Sequence, residues 1–333
     1  MNILGIETSC DDTSAAVVAD GRTVLSNVVS SQDEFHAKYG GIVPEIASRK
    51  HVELILFVIQ EALEKADTTY DTIDAIAVTN RPGLVGSLLV GVSAAKTIAY
   101  CRKKPLIGVN HMLGHVYANV LEHPELDFPH LTLTVSGGHT LIMHIASPTD
   151  YKILGHTVDD AVGEAYDKIA KFLGLGFPGG PAIDKLAKKG DPNAITFPSP
   201  LLHSGNLNFS FSGLKTAVIR YVTDQKKAGN DVNDADVAAG FQQAAIKVLV
   251  KKVLHAADEK AISTITLSGG VAANSGLRET LVRQGAANGY RIRYPRPVMC
   301  TDNGAMIAGV GYHLYQQGVR DGLDLNVSAN IPF

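Results

Sequence analysis

Apolar and polar positions fall in blocks that predict a strand, a polar turn and a second strand at the start of the chain. Residues 3–6 are apolar, residues 7–13 form a polar turn, and residues 14–18 make a returning apolar strand. About 130 residues later the same plan recurs around a turn at residues 136–140, between strands at residues 131–135 and 141–145. Such a repeat predicts two domains of like topology that face each other across a cleft.

The segments around the two repeats predict alternating helices and strands. Helical periodicity or small-residue composition marks three long segments, residues 51–66, 88–100 and about 237–258. Short apolar runs predict further strands at residues 24–29, 73–79, 105–109 and 262–267. The chain is therefore expected to be an α/β protein.

Composition describes an ordinary globular protein. A chain of 333 residues with 45% hydrophobic content can build two domains of about 100–200 residues each. No apolar run reaches the roughly 18 residues of a membrane span and the chain opens directly on a strand, so we expect the cytoplasm. The three cysteines, Cys10, Cys101 and Cys300, are widely spaced, which indicates reduced thiols. A net charge of -3 gives no general attraction to nucleic acid, so an RNA substrate would need a local basic patch or a partner.

Two histidines four residues apart, His111 and His115, follow the predicted strand at residues 105–109. On a helix this spacing puts both imidazoles on one face, where they can bind one divalent metal or be two buried, hydrogen-bonded side chains. Zinc peptidases of the H-E-x-x-H type need a glutamate directly after the first histidine. Met112 stands there, so a metalloprotease would lack its general base.

Glycine-rich turns give the chain several places where a nucleotide can bind. The segment SGGVAAN at residues 268–274 joins a strand to a helix start, where free amides and the helix dipole attract phosphate. It is neither a Walker loop nor a G-x-G-x-x-G fingerprint. The turn at residues 81–87 can hold an anion or simply allow close packing.

Three aspartates have two interpretations each. Asp167 and Asp184 flank the glycine-rich break at residues 174–181, where they can bind ribose hydroxyls or be solvated helix charges. Asp302 stands at the start of an apolar C-terminal helix, where it can display its carboxylate or be a plain N-cap.

Five motifs taken together resemble one known family. They are GIETSCD at residues 5–11, NHMLGH at 110–115, VSGGHT at 135–140, SGGVAAN at 268–274 and CTDNGAM at 300–306. In this combination and order the chain resembles the bacterial tRNA N(6)-adenosine threonylcarbamoyltransferases, the TsaD family. The resemblance implies two duplicated actin/Hsp70/sugar-kinase-like (ASKHA) domains. They would span residues 1–125, completed by the C-terminal helix at about 303–333, and residues 126–302.

The resemblance also implies an activity and its site residues. A threonylcarbamoyl group would pass from L-threonylcarbamoyladenylate to the N(6) amine of adenosine 37 in tRNAs reading codons that begin with adenine, releasing AMP. One divalent metal per subunit, Fe²⁺ or in some members Zn²⁺, would be bound by His111, His115 and Asp302. The adenylate would be held by nine residues, Thr134, Val135, Ser136, Gly137, Gly138, Asp167, Gly180, Asp184 and Asn274. His139 could take the proton of the amine, or it could only order its loop.

Partners follow from the same resemblance. They are tRNA, the paralogue TsaB as a heterodimer, the ATPase TsaE, and TsaC as the source of the adenylate, with residues 51–66 and 88–100 as candidate contact surfaces. Two other classes stay open on the residues alone. A kinase of the same superfold would need a catalytic Asp and would have no use for the histidine pair. A nucleotide-switched scaffold would keep its binding after the metal ligands are lost.

Overall fold

The computed structural model describes residues 1–330 and divides into two compact units. Unit 1 comprises Met1–Leu126 with Thr301–Phe333, and unit 2 comprises Asp127–Cys300. The last three residues of the predicted N-terminal domain, 331–333, lie outside the described part of the chain. No helix within residues 1–330 combines the length and the hydropathy needed to cross a membrane.

Each unit contains one five-stranded mixed sheet. The strands are β1 (Asn2–Glu7), β2 (Asp12–Ala19), β3 (Thr23–Ser31), β4 (Ala75–Arg81) and β5 (Leu106–Asn110) in unit 1, and β6 (His130–Val135), β7 (Thr140–Ser147), β8 (Asp150–His156), β9 (Thr264–Ser268) and β10 (Arg291–Arg293) in unit 2. The helices are α1 (Asp33–Ala37), α2 (Pro44–Lys65), α3 (Val85–Arg102), α4 (His111–Glu122), α5 (Val162–Phe172), α6 (Gly179–Ala187), α7 (Ser212–Lys227), α8 (Asp234–Lys260), α9 (Ser275–Ala287), α10 (Pro297–Cys300) and α11 (Gly304–Gln316).

The two sheets have the same topology. The first has the strand order β3-β2-β1-β4-β5 and the second β10-β9-β6-β7-β8, which is the same order read from the opposite edge. In each, the first three strands in sequence pair antiparallel. The fourth strand pairs parallel with the first and the fifth parallel with the fourth. The predicted repeat of like topology is therefore confirmed.

In unit 1, helices cover both faces of the sheet. Leu4 and Ile6 of β1 belong to an apolar core that includes residues of α2 and α3. A Cβ at Gly5, between them, would lie 2.2 Å from the carbonyl oxygen of Gly304 and 2.9 Å from Cβ of Ala308. Since successive side chains of a strand point to opposite faces, α11 packs on the face opposite α2 and α3. Glycine at position 5 is what allows this close approach.

In unit 2, the central strand β6 carries apolar side chains on one face and hydroxyl side chains on the other. Leu131, Leu133 and Val135 belong to the main core, with residues of α5 and α8. Thr132 and Thr134 point the other way and hydrogen-bond to hydroxyls of β9, with O–O distances of 2.7 Å to Thr266 and 2.8 Å to Ser268. All four hydroxyl side chains are buried, so these pairs satisfy polar groups within the sheet.

Three long helices begin earlier than the sequence pattern predicts; the one expected at about residues 237–258 is α8, which begins at Asp234. The helix expected at residues 51–66 begins at Pro44, because proline fits the first helical position, where its missing N–H is not needed. The helix expected at residues 88–100 spans Val85–Arg102, and its C-cap, Lys103, adopts a left-handed conformation.

Candidate functional site

Helix α4 begins with the two histidines of the NHMLGH motif, one turn apart. Strand β5 ends at Asn110, whose side-chain oxygen accepts a hydrogen bond from the backbone N–H of Met112 at 2.9 Å. This N-cap starts the helix at His111. The ring centroids of His111 and His115 lie 4.5 Å apart, as expected for neighbours one helical turn apart.

Asp302 lies against both imidazoles. Its Oδ1 is 3.5 Å from Nε2 of His111 and 3.3 Å from Nε2 of His115. Helix α11 starts after it, and the N-cap is Asn303, whose side chain accepts from the backbone N–H of Met306 at 3.0 Å. The interpretation of Asp302 as a plain N-cap is therefore wrong, and its carboxylate is directed at the histidines instead.

The three side chains fit a divalent metal. One ligand atom from each of His111, His115 and Asp302 lies within 4.8 Å of the others. Ligand atoms about 2.1 Å from a common ion are separated by about 3.0–3.4 Å, close to the two histidine–aspartate distances observed. Two imidazoles and one carboxylate are also the donor set of many mononuclear iron sites.

A second carboxylate, Glu7, orients His111. It ends strand β1, is fully buried, and its Oε2 lies 2.9 Å from Nδ1 of His111. The same oxygen accepts a hydrogen bond from the hydroxyl of Thr79 at 2.6 Å, and Oγ of Ser9 lies 3.2 Å from Nδ1 of His111. A carboxylate on the far nitrogen fixes a ligating histidine's tautomer and raises its basicity. Sequence reasoning missed Glu7, although it lies in the GIETSCD motif at the end of a buried strand.

The electrostatics of this cluster favour a cation. Burial disfavours a charged ring at His111, but Asp302 and Glu7 outweigh it and raise the pKa of His111 to about 9. Burial likewise opposes ionisation of Asp302, yet His111 and His115 hold its pKa below the ordinary value. Burial and the charge of Asp302 raise the pKa of Asp11 to about 6 and that of Asp12 to about 8. A divalent ion would relieve the repulsion among these carboxylates.

Cys10 does not belong to the cluster of possible metal ligands in the described residues. Burial, together with Asp11 and Asp302, raises the pKa of its thiol well above the ordinary value. A thiol that resists ionisation is a poor ligand, because the thiolate is the form that binds metals.

The predicted adenylate residues lie in unit 2, and five of them follow one another along β6 and its turn. Ser136 closes the turn: its backbone N–H donates to the carbonyl oxygen of His139 at 2.8 Å, and its hydroxyl accepts from the His139 N–H at 3.0 Å. A Cβ at Gly137 or Gly138 would meet no described atom within 4 Å, so the backbone of the turn is open. Thr134 and Val135 are fully buried, and the hydroxyl of Thr134 is paired with that of Ser268.

Asp167 connects helix α5 to the start of α6. Its Oδ1 accepts a hydrogen bond from the backbone N–H of Gly179 at 2.7 Å. Gly180 follows, and a Cβ there would meet no described atom within 4 Å. Asp167 therefore orders the glycine-rich break that presents Gly180.

Asp184 and Asn274 are joined through a residue that sequence reasoning missed, Gln242 of α8. Nδ2 of Asn274 donates to Oε1 of Gln242 at 2.8 Å, and Nε2 of Gln242 donates to Oδ1 of Asp184 at 3.2 Å. The hydroxyl of Ser275 donates to Oδ2 of Asp184 at 2.8 Å. The structure thus brings these two predicted site residues together at the N-terminus of α9.

Comparison with known proteins decides the family. A family model described as TsaD, tRNA N6-adenosine threonylcarbamoyltransferase, matches residues 23–309. A tRNA N6-adenosine threonylcarbamoyltransferase of Symbiobacterium thermophilum is 56% identical over 327 residues, which are 97% of this chain and 94% of the relative. The chain belongs to the TsaD family. Within this TsaD chain, the structure gathers His111, His115 and Asp302 in unit 1 and the predicted adenylate residues in unit 2.

Solved structures share the fold of this TsaD chain at low identity. HypF of T. kodakarensis superposes with a TM-score of 0.64 at 16% identity, covering 95% of this chain and 48% of that one. Component A of the Acidaminococcus fermentans (R)-2-hydroxyglutaryl-CoA dehydratase gives 0.57 at 16% identity, covering 94% and 98%. Together with the two sheets of like topology, these matches confirm the predicted α/β fold of the actin/Hsp70/sugar-kinase class.

Proposed function

We propose that this TsaD chain transfers the threonylcarbamoyl group of L-threonylcarbamoyladenylate to the N(6) amine of adenosine 37 in tRNAs that read codons beginning with adenine. The amine nitrogen bonds to the carbamoyl carbon, the bond from that carbon to the phosphate oxygen breaks, and AMP leaves. The observation that carries the proposal is the convergence of His111, His115 and Asp302 in a chain of this family.

The adenylate half of the donor belongs in unit 2. The open backbone of Gly137 and Gly138, in the turn that Ser136 closes, can approach phosphate closely, because glycine has no side chain to block its amides. Asp167 and Asp184 supply carboxylates for the ribose hydroxyls, with Gly180 and Asn274 beside them. Thr134 and Val135, both buried at the end of β6, support the turn from below the ligand. Holding the adenylate in this way keeps the carbamoyl carbon in one orientation for the incoming amine.

The metal site belongs to the same reaction. His111, His115 and Asp302 would hold one divalent ion, Fe²⁺ in our proposal with Zn²⁺ as the alternative. When bound, the ion supplies Lewis-acid polarisation of the donor. Glu7 orients His111, and Ser9 lies within hydrogen-bond distance of both His111 and Asp302, at 3.2 and 3.5 Å.

His139 is the proposed acceptor for the amine proton. It directly follows the open glycines of the turn, and its backbone N–H is already used in closing that turn through Ser136. Its imidazole can serve as a general base at neutral pH. Transfer by a His139→Ala variant at the wild-type rate would remove this role and leave His139 as an ordering residue.

The chain is proposed to work with partners: tRNA as substrate, TsaB as a heterodimer partner, TsaE, and TsaC as the source of the adenylate. An apolar surface on α2 and α3 is the proposed TsaB contact. It exposes large side chains, with Val52 65%, Leu56 66%, Phe57 74% and Leu89 45% exposed. Exposed apolar side chains gathered on neighbouring helices mark a protein interface.

The proposed reaction is tested by supplying labelled threonylcarbamoyladenylate, tRNA and partner subunits to the wild-type chain and digesting the tRNA to nucleosides. The expected result is label in a modified adenosine, absent when adenosine 37 is replaced by guanosine. Recovery of unmodified tRNA alone, with metal and partners present, would overturn the proposal.

A further inference from the structure

Gln242 is a buried glutamine of α8 whose side-chain amide connects α8 to α6 and to the N-cap of α9. It lies on α8 and is 7% exposed. Its Oε1 meets Nδ2 of Asn274 on the α9 side, and its Nε2 meets Oδ1 of Asp184 on α6, at 2.8 and 3.2 Å. Both partners are residues proposed to hold the adenylate, and they lie 32 and 58 positions away in sequence.

The donor and the acceptor of each hydrogen bond that links Asp184, Gln242 and Asn274 are fixed. Asn274 caps α9, so its Oδ1 must accept from the backbone N–H of Leu277, at 2.9 Å, and its Nδ2 is left to face Gln242. A carboxylate can only accept, so Asp184 needs the Nε2 end of the same amide. Reversing the amide of Gln242 would set donor against donor and acceptor against acceptor. Only a carboxamide at position 242 satisfies both partners at once.

A glycine in α9 makes room for this amide. A Cβ at Gly276 would lie 2.8 Å from Nε2 of Gln242, closer than real Cβ contacts. Helix α7 begins with the same three residues as α9, Ser-Gly-Leu, but a Cβ at its Gly213 would meet nothing nearer than Cγ of Pro200, at 3.6 Å. The two glycines occupy equivalent helix positions and differ in whether an amide lies against them.

We propose that Gln242 is a positioning residue for the adenosine half of the donor, holding the Asp184 carboxylate and the Asn274 amide in their binding orientations. The inference rests on the proposed function, because that function assigns the adenylate to these two residues. Without Gln242, Nδ2 of Asn274 loses its acceptor, and Asp184 keeps Ser275 but loses one of its donors. Since neither residue touches the carbamoyl group in this account, donor affinity falls and the chemical step does not change.

The test measures AMP affinity by calorimetry, and KM and kcat for transfer from the adenylate with partner subunits present. Gln242→Met keeps the volume and removes both hydrogen bonds. We expect the Kd for AMP and the KM for the donor to rise about five- to twentyfold, which corresponds to the loss of about 1–2 kcal/mol of hydrogen bonding. The kcat should stay within about twofold of the wild-type value. The control is Gln243→Met at the exposed neighbouring glutamine, which should bind and react like the wild type.

A second pair of variants perturbs the same amide without deleting it. Gly276→Ala pushes a methyl group against Nε2 of Gln242 and should weaken AMP binding in the same direction, whereas Gly213→Ala should leave it unchanged. This pair stays informative if Gln242→Met does not fold. Wild-type AMP affinity and KM in Gln242→Met, or in Gly276→Ala if Gln242→Met does not fold, would overturn the positioning role alone. A wild-type chain that transfers nothing and binds no AMP would overturn the proposed function, and this inference with it.

Discussion

At the scale of single residues, two carboxylates share one imidazole in the cluster around His111. Asp302 lies at Nε2 and Glu7 at Nδ1, so one carboxylate can act as a metal ligand while the other orients the ring. Glu7 is also fully buried, held by the hydroxyl of Thr79. The role we assign to Glu7 is therefore indirect and separable from ligation.

Replacing Glu7 with glutamine should weaken metal binding without removing a ligand. The amide keeps the size of the side chain but loses the charge that raises the basicity of His111, so affinity for Fe²⁺ or Zn²⁺ should fall about 10- to 100-fold. Metal titration followed by calorimetry measures this, with Glu64→Gln on the exposed face of α2 as the matched control. Equal affinities in the two variants would contradict the orienting role.

His130 should make unit 2 sensitive to mild acid. Burial lowers the pKa of this histidine from 6.5 to about 4, while its Nδ1 donates to the Asp127 carbonyl oxygen at 3.1 Å. The unfolded chain therefore binds a proton more readily, and stability is lost as the pH falls from 6.5 towards 4. Between about pH 7.5 and about pH 5 the loss from this residue should be about 2 kcal/mol.

Urea unfolding at the two pH values measures this loss. His130→Gln removes the titrating group, so the variant's stability should depend on pH less steeply than that of the wild type. His203→Gln, at an exposed histidine of the same unit, should keep the wild-type dependence. An unchanged pH dependence in His130→Gln would show that the loss arises elsewhere.

Sequence predicted the ligands of the proposed metal site better than the residues that support them. His111 and His115 are identifiable because their spacing alone puts them on one helical face. Glu7 and Gln242 carry no such local signal. The partner of Glu7, His111, lies 104 residues away in sequence, and the two partners of Gln242 lie 32 and 58 residues away. Only the folded chain brings these groups together.

At the scale of elements, periodicity found the long helices and buried strands and missed the short or exposed ones. Residues 131–135 predict β6 because that strand is buried throughout. Strand β8 was missed because it is an edge strand with exposed, mixed positions, and α1 because five residues show no period. Helix α2 was expected at residue 51 because its first two turns, from Pro44, bury little beyond Ala47.

The packing of α11 against the first sheet gives an element-scale prediction. A Cβ at Gly304 would lie 2.6 Å from the backbone nitrogen of Ala16 and 2.8 Å from the carbonyl oxygen of Gly5, both rigid backbone atoms. Gly304→Ala should therefore push α11 away from the sheet, costing about 1–3 kcal/mol. Because Asp302 lies two residues before Gly304, metal affinity should fall as well.

Thermal unfolding and metal titration of Gly304→Ala measure both effects. Gly213→Ala serves as the control, because it adds the same methyl group at the start of a helix where space is available. If Gly304→Ala has the unfolding temperature and the metal affinity of the wild type, the close packing of α11 is contradicted.

At the scale of the whole molecule, the chain is a duplicated fold whose copies carry different chemistry. We propose that the two units correspond to the two domains expected from sequence. Unit 1 holds the histidines and Asp302, and unit 2 holds the glycine turns and the Asp184–Gln242–Asn274 chain. Like topology gives each unit a strand-turn-strand at its start, but the ligands of the proposed metal site lie on α4 and just before α11, outside the turn of unit 1.

The apolar surface of α2 and α3 gives a prediction about assembly. Leu56→Glu puts a charge where a 66% exposed leucine now lies, so the chain should fold normally but lose the complex with TsaB that we propose. Leu323→Glu, at a leucine of unit 1 that is 53% exposed, is the control. Co-elution with TsaB on size exclusion measures the outcome, and a complex that survives Leu56→Glu would move the contact elsewhere.

The central claim, that the histidine and aspartate cluster of this TsaD chain binds the metal used in threonylcarbamoyl transfer, is tested most directly in one preparation. Metal content and transfer to tRNA are measured together for the wild type and for His111→Ala, with partners and adenylate supplied. We predict about one divalent ion per wild-type chain, transfer that follows metal content, and loss of both in His111→Ala. Full transfer by His111→Ala, or by wild type stripped of metal, would contradict the account.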